Sequence, residues 1–435
     1  MEYGPRSLFD FFMSSHPDSL SHTPGGNIDR SPSVLNEAFL ASSSRARASL
    51  PEQYRTHFDE LREGILAFCT EFQIPATDLK DTKTFGVSLN THSPRIPLER
   101  IEKVLFLFEH LEYLLIHKEP LKEESQALKE IEPLYNLTEQ YTAQVNFLEQ
   151  VGILKGGVIR GIDGKKYPVP TLEQIAEHLY DPERRDFFEI KREQGFTKLL
   201  LVPFGMRLHT LIFLFEDFLV DYQKTHPEFS IDGSKPFEGL SAYEEADVRG
   251  DDMVYFPEVF DQMKHRGKTK LKILQEQRAS SESVTPGWRV HLFQPSNPTD
   301  IHSPGFAPIF GQREEKISSQ EVPRPPLKEG APASRYLFIL QEAQKNPKSP
   351  YHGESGMTPE DWILAFMRHL QETGEPLDKS KDYAKSVSFL IGAFLNVSAC
   401  VPCAYWNGGL GRAALDRTFS ILMDPRAGVR TSVII

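Results

Sequence analysis

The chain changes its hydrophobic period once, near residue 151, and that change limits its architecture more than any single motif. Before it, apolar residues recur at helical spacing. Tyr54, Phe58, Leu61, Ile65 and Phe68 are separated by 4, 3, 4 and 3 positions. Ile101, Val104, Phe108, Leu111 and Leu115 repeat the pattern, and Leu134, Leu137, Tyr141, Val145 and Leu148 form a third stripe. Each stripe lies on one helix face that has to be buried. Heptad-like seams of this kind pack against one another. The expectation is a helical bundle over residues 51–155, serving as simple core or as a surface for self-association or a partner.

After Val151 the pattern shortens. Gly156-Gly157, Gly161, Asp163-Gly164 and Pro168 to Pro170 punctuate β-like pieces, with a hairpin expected around Asp163-Gly164. Thr171 with Gln174 reads as a capping box that opens a helix. Leu199 to Val202 reads as a buried strand stopped by Pro203, followed by a helix from about Arg207 to Tyr222. Trp288 to Phe293 alternates like a strand. Thr358-Pro359-Glu360-Asp361 starts a helix, with an N-cap Thr, Pro at the first helical position and acids at the positive end of the dipole, and Gly374 stops it. Ser388–Leu395, Val401–Trp406 and Val429–Ile435 read as strands. Helices first and mixed short elements afterwards define an α+β class. Residues 1–50, rich in Ser, Pro, Asn and Arg, are expected to form a disordered tail. Residues 156–435 are expected to form one mixed domain with a Pro/Ser-rich excursion at about 278–333.

Composition narrows the function classes. A chain of 435 residues with 39% hydrophobic and 25% charged residues is neither disordered throughout, nor collagen-like, nor a polytopic membrane protein. A net charge of −12 argues against a whole surface devoted to nucleic acid, so no nucleic-acid partner is expected. Three cysteines exclude a disulfide scaffold and fit a reducing compartment. The N-terminus lacks a long apolar core for a secretory signal. The most apolar window, Leu199 to Val220, carries Arg207, His209, Glu216 and Asp217, which hydrocarbon would not accept. A cytoplasmic protein without a membrane partner is expected.

No motif defines a catalytic, metal or cofactor site. Cys400-Val401-Pro402-Cys403 is the lone CxxC, with no second ligand pair to complete a zinc site and strand-like residues where a redox helix would begin. Its cysteines read as small buried thiols, with metal or redox chemistry as the alternative. Gly408-Gly409-Leu410-Gly411 lacks the Lys-Ser/Thr of a phosphate loop. Gly353-Glu354-Ser355-Gly356 misses the nucleophile-elbow spacing by one position. His265 to Lys270 reads as a solvated basic loop. The pairs Glu244-Glu245 and Asp251-Asp252 could hold a cation, but nothing fixes their geometry.

Some longer stretches carry a resemblance. Gln194 to Gly205 (QGFTKLLLVPFG), Met357 to Trp362 (MTPEDW), Val401 to Trp406 (VPCAYW) and Gly428 to Val433 (GVRTSV), together with Gly161 to Pro168 and Val254 to Pro257, occur in an order that resembles target proteins of diversity-generating retroelements from candidate-phyla bacteria. The resemblance spans roughly Leu137 to Ile435. It implies a C-type-lectin-like fold akin to formylglycine-generating enzymes, in which a near-C-terminal segment is diversified to form a ligand-binding face. Gly428, Val429, Arg430 and Tyr405 would then be scaffold. Exposed positions would fall among 407–412, 417–420 and 423–426.

Within that segment Asn407, Arg412, Arg417, Phe419, Met423 and Arg426 are the candidate contacts, because aromatic, Met and Arg side chains carry interface energy. The stretch between Trp406 and Gly428, with its glycines and Asp424-Pro425, is expected to be irregular and exposed. Leu415, Ile421 and Leu422 are candidates for core. The implied function is non-enzymatic binding of a protein or surface ligand. The alternatives are an enzyme using Cys400 and Cys403, or an assembly protein acting through its helices.

Overall fold

The structure, a computed structural model, describes residues 38–39, 43–80, 82–92, 96–120, 125–239, 245–280, 285–297, 299–309, 323–378 and 386–435. Most of the tail expected over 1–50, and residues 281–284, 298 and 310–322 of the excursion, lie outside the described residues. The architecture is mixed α+β, with twelve α-helices and several antiparallel sheets among the described residues. The chain divides into two compact units, residues 1–123 and 124–435.

The first unit holds α1 (Ser43–Ala48), α2 (Arg55–Glu71), α3 (Thr82–His92) and α4 (Leu98–His117). Phe58, Leu61, Ile65 and Phe68 of α2 share one cluster with Ile101, Val104, Phe108, Leu111 and Leu115 of α4. Burying each such side chain is worth about 1.5–3 kcal/mol. The helices approach closely at Gly64, where an added Cβ would lie 2.9 Å from Leu107. Phe85 of α3 closes the cluster by stacking on Phe108 at 4.6 Å.

The third stripe does not join that cluster. It straddles two helices of the second unit, α5 (Gln126–Tyr135) and α6 (Leu137–Gln150), broken at Asn136 in the left-handed region with φ 50°. Leu134 is exposed, whereas Leu137 and Leu148 enter the second unit's core. Two amides of α6 explain the placement. Gln140 accepts from the Leu199 N–H at 2.9 Å and donates to the Thr197 carbonyl at 3.1 Å. One turn later Gln144 accepts from Leu201 N–H at 2.8 Å and donates to the Leu199 carbonyl at 2.6 Å. Glutamines four apart thus act as a substitute strand along an open sheet edge.

That edge belongs to β3 (Lys198–Val202), in a four-stranded antiparallel sheet ordered β3-β6-β15-β9. Its other strands are β6 (Arg289–Phe293), β9 (Glu354–Gly356) and the closing β15 (Thr431–Ile434). Upstream of β3, the hairpin β1 (Val158–Arg160) and β2 (Lys166–Pro168) forms around Asp163-Gly164, ahead of α7 (Leu172–Tyr180) and α8 (Arg185–Glu193). Thr171 and Gln174 make the capping box of α7. The long helices α9 (Leu208–Thr225) and α12 (Pro359–Thr373) pack together, and α12 also packs on β3. Gly374 ends α12 with φ 73°.

A second sheet of seven strands comprises β4 (Phe237–Gly239), β5 (Met253–Tyr255), β10 (Val387–Phe389), β11 (Ala393–Leu395), β12 (Cys400–Asn407), β13 (Arg412–Phe419) and β14 (Ala427–Gly428). The strand read over Ser388–Leu395 is therefore two, interrupted between Phe389 and Ala393. The strand read over Val429–Ile435 shortens to β15, and β14, just before it, pairs in the other sheet. The remaining elements are α10 (Lys270–Ala279), the pair β7 (Pro295–Asn297) and β8 (Asp300–Gly305), and α11 (Ala333–Gln344).

Candidate functional site

The centre of the C-terminal segment is a long hairpin rather than an irregular loop. β12 and β13 pair over eight positions, from Cys400↔Phe419 to Asn407↔Arg412. Small side chains make this register favourable. Ala413, Ala414 and Leu415 lie opposite Trp406, Tyr405 and Ala404, and all three are buried. Gly411 closes the turn at φ 62°, and a Cβ there would lie 2.9 Å from the Ile231 backbone. Both faces of β12 are covered: Cys400, Ala404 and Trp406 enter the main core, while Val401 and Cys403 enter a second cluster with Tyr336 and Phe389. A strand clamped on both faces is a rigid platform.

The six candidate contacts separate onto this platform. Asn407 and Arg412 sit at the closed end of the hairpin, and Arg417, Phe419, Met423 and Arg426 at or beyond the other. Eight strand residues span roughly 26 Å, so the six cannot form one small patch. Asn407 is half-buried and accepts the Leu410 N–H at 3.3 Å, which shapes the turn. The Arg412 guanidinium donates to Asp232, tying the hairpin to the segment before β4. Arg426 pairs with Asp424 at 2.9 Å. Arg417, Phe419 and Met423 are exposed.

Leu415 is core, but Ile421 and Leu422 are not. Phe419, Ile421, Leu422 and Met423 are 57, 76, 52 and 72% exposed, a continuous apolar rim. Hydrogen bonds within the second unit hold the rim: Ser334 N–H donates to the Ser420 carbonyl at 2.9 Å, and Leu422 N–H to the Phe419 carbonyl at 3.0 Å.

The CxxC motif sets its two cysteines on different sides of β12. Residues three apart on a strand point to opposite faces, and Cys400 and Cys403 enter different clusters. Both are free thiols. Burial, and then Asp416 and Asp424, push the Cys403 thiol far above its ordinary range. Cys69, buried in the first unit, is pushed up to about 11 by burial and then Asp78. A thiol held neutral is a poor nucleophile.

The sequence reading missed a set of buried ion pairs that converge on the closing strand. Arg430 donates to Asp378 at 2.5 Å, and Asp378 also accepts from Trp362 Nε1 and Ser388 Oγ. Thr431 donates to Glu354 at 2.6 Å, and Glu354 is held by Arg324 and Lys191. Ser432 Oγ lies 2.8 Å from His291 Nδ1, and His291 Nε2 lies 3.1 Å from Asp361 Oδ1. His291 Nε2 and Asp361 Oδ1 make no hydrogen bond among the described residues, and all three residues are fully buried where β15 meets β6 and α12.

Glu360 and Asp361 do open α12, with Asp361 completing its capping box. Both are fully buried. Asp361 accepts from the Thr358 N–H at 2.8 Å and from Arg289 at 2.8 Å. Burial pushes its carboxyl up, but Arg289 and His291 prevail and hold it at about 2. Burial dominates at His291, holding it below the usual range. Lys270, the last residue of the expected solvated basic loop, is buried between Asp247 at 2.6 Å and Glu360 at 2.7 Å. Burial lowers its pKa, yet the two carboxylates outweigh that and raise it.

Glu244 lies outside the described residues, and Glu245 pairs with Arg249. Asp251 accepts from Asn396. Among the described residues no group of three or more His, Cys, Asp or Glu could hold a metal, and no helix is long and apolar enough to cross a membrane. Compared with protein-family models, curated proteins and solved structures, the chain matches none.

Proposed function

We propose that this chain is a binding protein whose second unit is a C-type-lectin-like scaffold presenting the rim at residues 417–423 to a protein partner. The observation that carries it is the rim itself: four large apolar side chains exposed together on a turn fixed to α11 and the β12–β13 platform. Exposed contiguous apolar surface marks interaction sites, and a rigid scaffold presenting variable side chains is the logic of a paratope. The scaffold assignment is supported by the closing strand, which lies between β6 and β9 in the sheet that also holds β3. Diversification would act at positions 407–412, 417–420 and 423–426. The first unit, whose Phe106 and Ile116 are exposed, would serve self-association.

Peptides selected from a displayed random library against the full chain test the rim. A Phe419→Asp/Met423→Asp variant should keep its unfolding midpoint and lose the selected peptides. Equal capture by both proteins overturns the reading, as does a large drop in stability, which would make the rim part of the core. Diversification has its own test in the flanking DNA: a near-copy of the gene's 3′ end, mismatched chiefly opposite adenines.

A further inference from the structure

The apolar rim carries a methionine that solvent reaches. Among the described residues, Met206, Met253, Met357 and Met367 are buried, whereas Met263 and Met423 are 90 and 72% exposed. Met263 lies on the loop between β5 and α10, outside the rim. A thioether has no proton to lose, so its access to solvent decides how readily an oxidant converts it to the polar sulfoxide.

The thiols are kept out of that competition. Cys69, Cys400 and Cys403 are all buried. The thiolate is the form that attacks an oxidant. Burial, then Asp78, pushes the Cys69 thiol up to about 11, and burial, then Asp416 and Asp424, pushes Cys403 far up.

Met423 also sits where a change of polarity matters and a change of fold does not follow. It extends the exposed surface of Phe419, Ile421 and Leu422. The turn around it is held without its side chain: the Ser420 carbonyl accepts from Ser334 N–H, the Phe419 carbonyl accepts from Leu422 N–H, and Asp424 accepts from the Arg426 N–H at 3.0 Å. Oxidation would alter the surface and leave its support in place.

We propose that Met423 is an oxidation site at which hydrogen peroxide switches off the rim. The inference rests on the rim's being a partner surface. The Met423 Sδ lone pair attacks one peroxide oxygen, the S–O bond forms and the O–O bond breaks. The other oxygen leaves as water, carrying both peroxide protons. Sulfur gives up two electrons and the peroxide takes them. The sulfoxide oxygen is a hydrogen-bond acceptor, and covering it with an apolar partner leaves it buried without a donor. That penalty weakens binding by roughly tenfold or more.

Brief treatment of the full chain with millimolar hydrogen peroxide, followed by peptide mapping in a mass spectrometer, reads the site. One added oxygen should appear on Met263 and Met423 ahead of Met206, Met253, Met357, Met367 and the cysteines. Library peptides selected on the untreated chain should then bind at least roughly tenfold more weakly. Met263→Leu should lose them on oxidation as the parent does, and Met423→Leu should keep them. Met423→Gln, polar without any oxidant, should bind them weakly from the start. Methionine sulfoxide reductases with a dithiol should restore the oxidised parent. Oxidation of the buried sites ahead of Met423, undiminished binding by the oxidised parent, or a loss that persists in Met423→Leu overturns the proposal. If Met423→Leu binds poorly before treatment, the reductase arm decides, and no recovery overturns it. Peptides kept by the Phe419→Asp/Met423→Asp variant overturn the rim reading and this proposal together. Peptides lost by that variant but kept by the oxidised parent overturn this proposal alone. Thermal melts of each sample separate loss of the surface from loss of the fold.

Discussion

The two units solve the same packing problem with different material. The first is held by aliphatic and aromatic side chains arranged at helical spacing, with Phe85, Phe108 and Leu111 at its centre. The second also has a large apolar core, but it buries Lys191, Lys270, Arg289, Arg324, Glu354, Glu360, Asp361, Asp378 and Arg430. Helices satisfy their own backbone, so an apolar stripe is enough to join them. Strands of three to five residues specify little register by themselves. Charged pairs with unique partners can add that specificity: Arg430, Thr431 and Ser432 each enter a different polar network, which fixes where the closing strand lies. Buried ion pairs are costly to break even where they add little net stability.

That contrast can be broken experimentally. The largest effect is expected from Asp361→Ala, which strands Arg289 and His291 in the core. It should destabilise the second unit by about 3–5 kcal/mol, read by urea unfolding that follows each unit separately. Leu111→Ala should cost the first unit about 3 kcal/mol and leave the second unit's transition in place. If both transitions move in either variant, the units unfold as one and the contrast fails.

Acidification should act on the second unit next. Burial, and then Arg430, hold His369 down to about 4, below an ordinary value of 6.5. The unfolded chain therefore takes up this proton first as the pH falls, and stability declines between about 6.5 and 4, by roughly 3 kcal/mol. His369→Gln should flatten that part of the profile. Asp361 adds its own loss only below about pH 4, as its carboxyl is protonated toward about 2.

The smallest effects belong to the hairpin. Arg417→Ala should stay within about 0.5 kcal/mol of the parent. Arg412→Ala should cost more than Arg417→Ala, because it releases Asp232 and the segment leading into β4. Differential scanning calorimetry of the pair decides whether both arginines face out or only one.

Much of the local structure was legible in the sequence. The capping box at Thr171, the N-cap at Thr358, the Asp163-Gly164 hairpin and the stop at Gly374 all rest on interactions within a few residues, and the first two stripes show as a helical period. Where partners are distant, the reading went astray. Periodicity groups the third stripe with the first two because it records that a face is buried and not what buries it; the Gln140 and Gln144 amides, bonded to β3, choose its neighbour. The stretch around Ala413 and Ala414 reads as irregular and exposed because a short aliphatic run between glycines has no period, yet the facing β12 makes it a strand. Ile421 and Leu422 looked like core by type and are exposed by position.

By itself the sequence determined the class of the protein: an α+β chain with a helical N-terminal part, caps and turns at set places, and few cysteines. Those properties follow from side-chain chemistry acting over one or two turns. Only the tertiary structure decided that Cys400 and Cys403 face apart and that Glu360, Asp361 and Lys270 are buried. Each of these depends on which distant segment supplies the opposite charge or the covering surface, and a linear pattern does not encode that pairing.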